Sequence, residues 1–219
     1  MTGAPKSFFL TPDIYEYVVA HGTPPDAMQQ ALIDETAQLP MAVMQISPEQ
    51  GAFMTVFTRL IGAREAVEVG TFTGYSAISI ARGLPDDGHL LCCDVSEEWT
   101  SIARRAWAVA GVERKIELKL APAADTLRAL PDHEYLDLAF IDADKPSYAV
   151  YYEEVLKRLK PNGAVLVDNT LWGGRITDAS LVDDQTLAVR AFNDMVAADD
   201  RVDSVQLTLG DGLTILRKR

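Results

Sequence analysis

The sequence predicts an α/β fold built on a mainly parallel sheet, and three features point to it. From residue 65 onward, short apolar runs alternate with longer amphipathic segments, which is the pattern of βαβ units. Runs such as LDLAFI (136–141) are almost continuously apolar, as strands covered on both faces are. The pattern then closes differently. VDSVQLTLG and GLTILRKR are separated by little more than Gly210-Asp211-Gly212. That connection is too short for a crossover helix, so the sheet ends in an antiparallel hairpin.

Taken in order, residues 9–20 and 24–38 carry apolar positions at mixed three- and four-residue steps and predict two helices. Ser47-Pro48-Glu49-Gln50 supplies an N-cap, a proline at the first helical position and a glutamine at the third. A third helix therefore starts there and stops near Gly62. The apolar runs 66–70, 89–94, 115–121, 136–142 and 163–169 are the parallel strands. Helices follow at 75–83, 97–110, 123–130, 147–160 and around 184–199. No repeat of solenoid length is present. The organisation is a single domain over 1–219, with a helical N-terminal part (1–62) and an α/β core (63–219).

Composition narrows the class. Apolar residues make up 48% and charged residues 24% of the 219, so disorder, collagen and coiled coil are excluded as whole-chain descriptions. Twenty Lys and Arg against 32 Asp and Glu give a net charge of −12. That balance opposes nucleic-acid binding and attachment to an anionic membrane, and leaves small molecules as partners. Cys92 and Cys93 are the only two cysteines. Neighbours on a strand point to opposite faces, so the expectation is two small buried side chains with no bond between them. No run approaches the ~18 apolar residues of a membrane span, and the opening MTGAPKSFFLTPD is not leader-like. A cytoplasmic, soluble protein is expected.

Open α/β sheets bind ligands beyond the carboxyl ends of their strands. Those ends are Glu68-Val69-Gly70, Asp94, Asp142 and Asp168-Asn169. The first strand runs into Glu68-Val69-Gly70-Thr71-Phe72-Thr73-Gly74-Tyr75-Ser76 and then a helix. This loop is neither G-x-G-x-x-G nor a P-loop. Glu68 would repel a pyrophosphate and suits an ammonium or sulfonium group. Asp94 ends the next strand, where an acid accepts hydrogen bonds from ribose hydroxyls. Together they point to S-adenosylmethionine (SAM) rather than a dinucleotide. Asp142, Asp168 and Asn169 form an all-oxygen set if their strands are neighbours, suited to Mg²⁺, Ca²⁺ or Mn²⁺. Turn capping accounts for the same residues equally well at this point. Lys145 either pairs with Asp144 or acts as a general base, since a nearby cation and partial burial disfavour its charged form. Tyr148 and Trp172 either stack on a planar ring or pack.

With these residues in view, the sequence resembles the cation-dependent class I O-methyltransferases, the caffeoyl-CoA and catechol O-methyltransferase-like family, and within it the bacterial branch. The matching segments are MQISPEQGAF (44–53), EVGTFTGYS (68–76), CCDVSEEWTSIARRAW (92–107), FIDADKPSY (140–148), VDNTLWGG (167–174) and GDGLTI (210–215). The resemblance implies a Rossmann-like class I methyltransferase fold, with a seven-stranded sheet, one reversed strand and helices on both faces. It implies SAM contacts at Ile46, Glu68, Gly70, Thr71, Ser76, Asp94, Ala123 and Asp142. It assigns Asp142, Asp168 and Asn169 to a divalent cation, Mg²⁺ first, and Lys145 and Asp142 to catalysis. Met44, Lys145 and Trp172 fall on the acceptor side, and the N-terminal helices form a cap at the substrate mouth of what is commonly a homodimer. Ala121, Pro146 and Gly173-Gly174 depart from the family pattern, the last where plant relatives carry a substrate-side asparagine. The implied activity is methylation of one hydroxyl of a vicinal aromatic diol of catechol, caffeoyl or flavonoid type. An NAD-dependent oxidoreductase on a similar sheet and a non-catalytic SAM-binding module are the alternatives.

Overall fold

The computed structural model describes residues 11–219. Residues 9 and 10 of the first expected helix lie outside them. That helix, α1, spans Pro12–His21 and starts at Thr11, whose hydroxyl accepts from the Ile14 N–H. Helix α2 (Ala27–Thr36) starts with a capping box, in which Asp26 and Gln29 satisfy each other's backbone N–H groups. Helix α3 is Pro48–Leu60. The core then alternates β1 (Glu65–Val69), α4 (Tyr75–Gly83), β2 (His89–Asp94), α5 (Glu97–Ala110), β3 (Ile116–Leu120), α6 (Ala123–Ala129), β4 (Leu136–Ile141), α7 (Tyr148–Arg158), β5 (Leu159–Val167), α8 (Asp184–Ala197), β6 (Val202–Leu207) and β7 (Leu213–Lys218).

The seven strands form one sheet in the order β3-β2-β1-β4-β5-β7-β6. Every pairing among β1 to β5 is parallel, and β7 runs against both β5 and β6. The closing hairpin and the single reversed strand are as expected. Strand β5 begins earlier than its apolar run suggests. Leu136 pairs with Leu159 but Leu138 pairs with Ala164, so residues 160–163 bulge out of the ladder. Lys-Pro-Asn-Gly there has the composition of a turn, yet Leu159 is already fully buried against β4. Burial of Leu159 outweighs the local turn preference.

Alternation along the strands divides the core. Ala66, Leu90, Cys92, Leu138, Phe140, Ala164 and Leu166 pack under α3, α4 and α5. Val67, Val69, Leu91, Cys93, Ala139, Ile141, Val165 and Val167 pack under α6, α7 and α8. Cys92 and Cys93 are both free and buried, on opposite faces. No helix among the described residues is long and apolar enough to cross a membrane.

The register matters most for function. Val69 pairs with Cys93 and with Ile141, and Ile141 pairs with Val167. The residues one step beyond this row are Gly70, Asp94, Asp142 and Asp168. Four strand tips far apart in sequence thus lie side by side, and the strand order reverses direction between β1 and β4, where open α/β sheets bind their ligands.

Candidate active site at the carboxyl edge of the sheet

A cavity of about 1040 Å³ opens over these tips. Its floor is Gly70, Asp94, Asp142, Asp168 and Asn169, and its walls include Ile46, Thr71, Ser76 and Ala123. Met44 and Trp172 stand on its rim with Lys145 between them and the floor. Of the residues nominated for cofactor, cation or acceptor, Glu68 and Tyr148 do not reach the cavity.

The floor depends on the glycine at 70. Its φ is +90°, and a Cβ built there would lie 1.9 Å from the Asp142 carbonyl oxygen. The Gly70 N–H donates to the Cys93 carbonyl at 2.9 Å, so the backbone is held where no side chain fits. Asp94 organises the loop that follows. Its Oδ2 accepts from the Thr71 and Phe72 N–H groups, both at 2.9 Å, and its Oδ1 accepts from Val95 and Ser96 at 2.7 and 2.8 Å. These bonds hold Phe72 at φ +50°, a conformation rare outside glycine. Ala121, one of the departures from the family pattern, is not among the residues with positive φ, and its N–H donates to the Asp94 carbonyl at 3.0 Å. Its Cβ therefore causes no strain.

Glu68 lies beneath the loop, wholly buried. Strand alternation explains this, because Val67 and Val69 face one helical layer and residue 68 faces the other. Its Oε2 accepts from the Cys92 thiol at 3.4 Å. Its Oε1 and the Thr71 hydroxyl are buried with no hydrogen-bond partner. Burial pushes the Glu68 carboxyl up to about 7. Orphaned polar atoms under a large cavity are what a site for a polar ligand presents before that ligand binds.

At the other end of the floor, Lys145 Nζ lies 3.2 Å from Asp142 Oδ1, 2.6 Å from Asn169 Oδ1, 3.0 Å from the Ala143 carbonyl and 2.6 Å from the Tyr148 hydroxyl. It pairs with Asp142 rather than with Asp144, whose carboxylate accepts from Tyr151. Pro146 sits inside the single 3-10 turn Lys145–Ser147 that holds the lysine in place. Asn169 has φ +55° and Trp172 φ +48°, so both turn-like backbone and inward-facing side chain describe Asn169. The Trp172 ring centroid is 5.5 Å from Lys145 Nζ. Tyr148 packs instead of lining the cavity. It is fully buried, edge-on to Phe192, and donates to the Asp168 carbonyl at 3.2 Å.

Burial and then the charge of Asp142 push the Asp168 carboxyl up to about 7, and burial likewise raises Asp142. Among the described residues no group of three or more His, Cys, Asp or Glu side chains gathers as a metal site. The donor set here is two carboxylates and an amide. Asp142 and Asn169 already converge on one cationic nitrogen, and oxygen donors of this kind suit a hard divalent cation.

One contact was not legible in the sequence. Gln50, read there as a capping residue, is 1% exposed and donates from Nε2 to Asp168 Oδ2 at 2.7 Å. The Ser47 side chain does not cap α3 and bonds instead to Glu49 Oε1 at 2.6 Å. Nearby, Gln45 Nε2 donates to the Thr36 hydroxyl at 3.2 Å, which lies 3.0 Å from the Thr73 hydroxyl. The N-terminal helices are thus bonded both to the glycine loop and to a strand tip.

The sequence pattern of an O-methyltransferase family matches residues 21–219. Caffeoyl-CoA O-methyltransferase 2 of Zea mays is 36% identical over 229 residues, spanning 97% of this chain and 85% of that one. An O-methyltransferase of Bacillus cereus, solved in complex with SAH, aligns with a TM-score of 0.87 at 29% identity over 94% of this chain and 97% of that one. An O-methyltransferase of Streptomyces achromogenes involved in tomaymycin synthesis, solved in complex with SAM, gives 0.84 at 31% identity over 94% and 96%.

Gly70→Ala is expected to cost about 1–3 kcal/mol through overpacking, which lowers the thermal midpoint by about 2–4 °C per kcal/mol in a domain of this size. The rise in midpoint on adding S-adenosylhomocysteine should vanish with it; a full ligand-induced rise would refute the close-approach argument. Glu68 has its folded value raised from 4.5 to about 7, so its contribution to stability is lost as pH rises through that window. In urea denaturation from pH 5 to 8, Glu68→Gln should gain stability relative to the parent as pH rises and level off above about 7. A constant gap would show that Glu68 does not titrate there.

Proposed function

The chain belongs to the O-methyltransferase family and is a SAM-dependent O-methyltransferase; from that premise we propose that it methylates one hydroxyl of a vicinal aromatic diol with the help of a divalent cation. The NAD-dependent and non-catalytic alternatives fall with that membership. The observation that carries the reading is the convergence of Asp142 Oδ1, Asn169 Oδ1 and Lys145 Nζ at the edge of the large cavity.

When bound, SAM supplies a methyl group made electrophilic by its sulfonium, and a divalent cation supplies charge that makes a phenol oxygen easier to deprotonate. Gly70 keeps the floor open for the donor. Thr71, Ser76, Ile46 and Ala123 line the walls around it, and Asp94, at the tip of β2, is placed for its ribose. Glu68 and the Thr71 hydroxyl bring unspent hydrogen-bonding capacity beneath the loop. Asp142, Asp168 and Asn169 would hold the cation with oxygen atoms alone. Lys145 Nζ touches two of those oxygens, so it stands within reach of a hydroxyl brought to them and is the group to take its proton. Met44 and Trp172 offer apolar and aromatic surface on the acceptor side. Catalysis by such a site is positioning and charge compensation.

A panel of vicinal diols and their monohydroxy analogues tests the reading, with SAM and with EDTA or Mg²⁺. Transfer is expected to diols only, to stop with EDTA and to return with Mg²⁺. Asp168→Ala should abolish Mg²⁺-dependent turnover while calorimetry finds the SAM affinity unchanged. Turnover that persists in EDTA would remove the cation, and equal turnover of monohydroxy phenols would remove the diol. Lys145→Met should lower kcat by about 10²–10⁴-fold, the range for a proton-transfer group, with little change in acceptor KM. An undiminished kcat would take the lysine out of the proton transfer.

A further inference from the structure

Asp168 is the proposed cation ligand that an element outside the α/β core touches. Its Oδ1 accepts from the neighbouring Asn169 N–H at 2.6 Å, which is local geometry. Its Oδ2 accepts from Gln50 Nε2 at 2.7 Å, across 118 residues of sequence. Gln50 stands in the first turn of α3, essentially without solvent contact. The loop between β6 and β7 closes on its other side. Gly210 has φ +55°, and a Cβ there would lie 2.3 Å from Gln50 Oε1. The amide is thus gripped between a glycine that leaves it room and a carboxylate that takes its proton donor. A carboxylate rotates about one torsion, and a directed donor on one oxygen selects one orientation of it.

We propose that Gln50 is a positioning residue for the cation site: its amide sets the orientation of Asp168, so that cation affinity depends on the docking of α3 against the sheet. The inference rests on the reading of Asp168 as a cation ligand. The Gln50 side-chain amide bonds to Asp168 and to neither Asp142 nor Asn169. A donor of this kind, bonded to a ligand and not to the ion, typically carries about 10–100-fold in metal affinity. Packing alone predicts something different. A residue that merely filled space would, when changed, loosen α3 and with it Ile46 and Thr36, and donor binding would fall together with cation binding.

The test uses Mn²⁺ as the probe, read by electron paramagnetic resonance on the full chain, beside S-adenosylhomocysteine affinity by calorimetry and the thermal midpoint. Two variants approach the amide from opposite sides. Gln50→Leu removes the donor and keeps an apolar side chain of similar bulk. Gly210→Ala leaves Gln50 in place and drives its amide off Asp168. Both are expected to weaken Mn²⁺ binding by about 10–100-fold with S-adenosylhomocysteine affinity unchanged. If Gln50→Leu does not fold, Gly210→Ala decides. Parental Mn²⁺ affinity in either folded variant overturns the proposal. So does a parallel loss of Mn²⁺ and S-adenosylhomocysteine binding, which would make Gln50 a packing residue. A parent chain that binds no Mn²⁺ at all overturns the cation reading itself, and this inference with it.

Discussion

Asp142 and Asp168 stand one residue beyond the paired Ile141 and Val167 of adjacent parallel strands, whose backbones run about 4.8 Å apart. Carboxylates so placed repel each other. Both carboxyls are raised, by burial first. The surrounding structure answers this concentration of charge. Lys145 is turned inward by the 3-10 turn after β4 and bonds to Asp142. Asn169 takes a left-handed backbone conformation that brings its own N–H to Asp168 and its side-chain oxygen to the lysine. Gln50 supplies the remaining donor. An acidic pair is expensive to bury, and Lys145, Asn169 and Gln50 offset that cost here.

The N-terminal helices belong to that site. Their hydrogen bonds run from Gln45 and Thr36 to Thr73 in the glycine loop, and from Gln50 to Asp168. The first set ties the helices to the glycine loop, and the second ties them to the floor at Asp168. Both sets are buried or partly buried, where a missing partner leaves a polar group unsatisfied at a cost of about 1–3 kcal/mol. The helical part is therefore held in register with the sheet by directed bonds as well as by apolar contact of Met54 and Leu32 with the core.

Much of this was legible in the sequence, and what was not has specific causes. Strand–helix alternation located the strand tips, because four of the five parallel runs stop at an acid, an amide or a glycine. Their meeting at one edge is a matter of strand order, which alternation does not encode. It entered through the resemblance carried by the six motifs. Glu68 was placed at the cavity because it sits in the loop motif, yet its position in β1 already assigns it to the face away from Val67 and Val69. Gln50 departs from its expected capping role for the opposite reason. The local preference for a capping glutamine at the third helical position loses to a partner 118 residues away. Helix N-termini leave several N–H groups open, and a glutamine satisfies one only if nothing with a stronger claim is near. A buried carboxylate is such a claim, since bonds to ionised groups are roughly twice as strong as neutral ones.

The two halves of the cavity differ in how tightly their residues are constrained. Each floor residue has several partners: four backbone N–H groups on Asp94, four contacts on Lys145, a directed donor on each oxygen of Asp168. The rim has few. Val43 and Met44, which line it, are 87% and 46% exposed, and next to Trp172 the glycines 173 and 174 have nothing within 4 Å of where a Cβ would stand. A change on the floor disturbs charge balance and donor geometry together, because every group there is shared. A change on the rim alters only exposed surface at the mouth. The chemistry is thereby tied to the sheet register, while the shape of the mouth is left to segments that the register does not constrain.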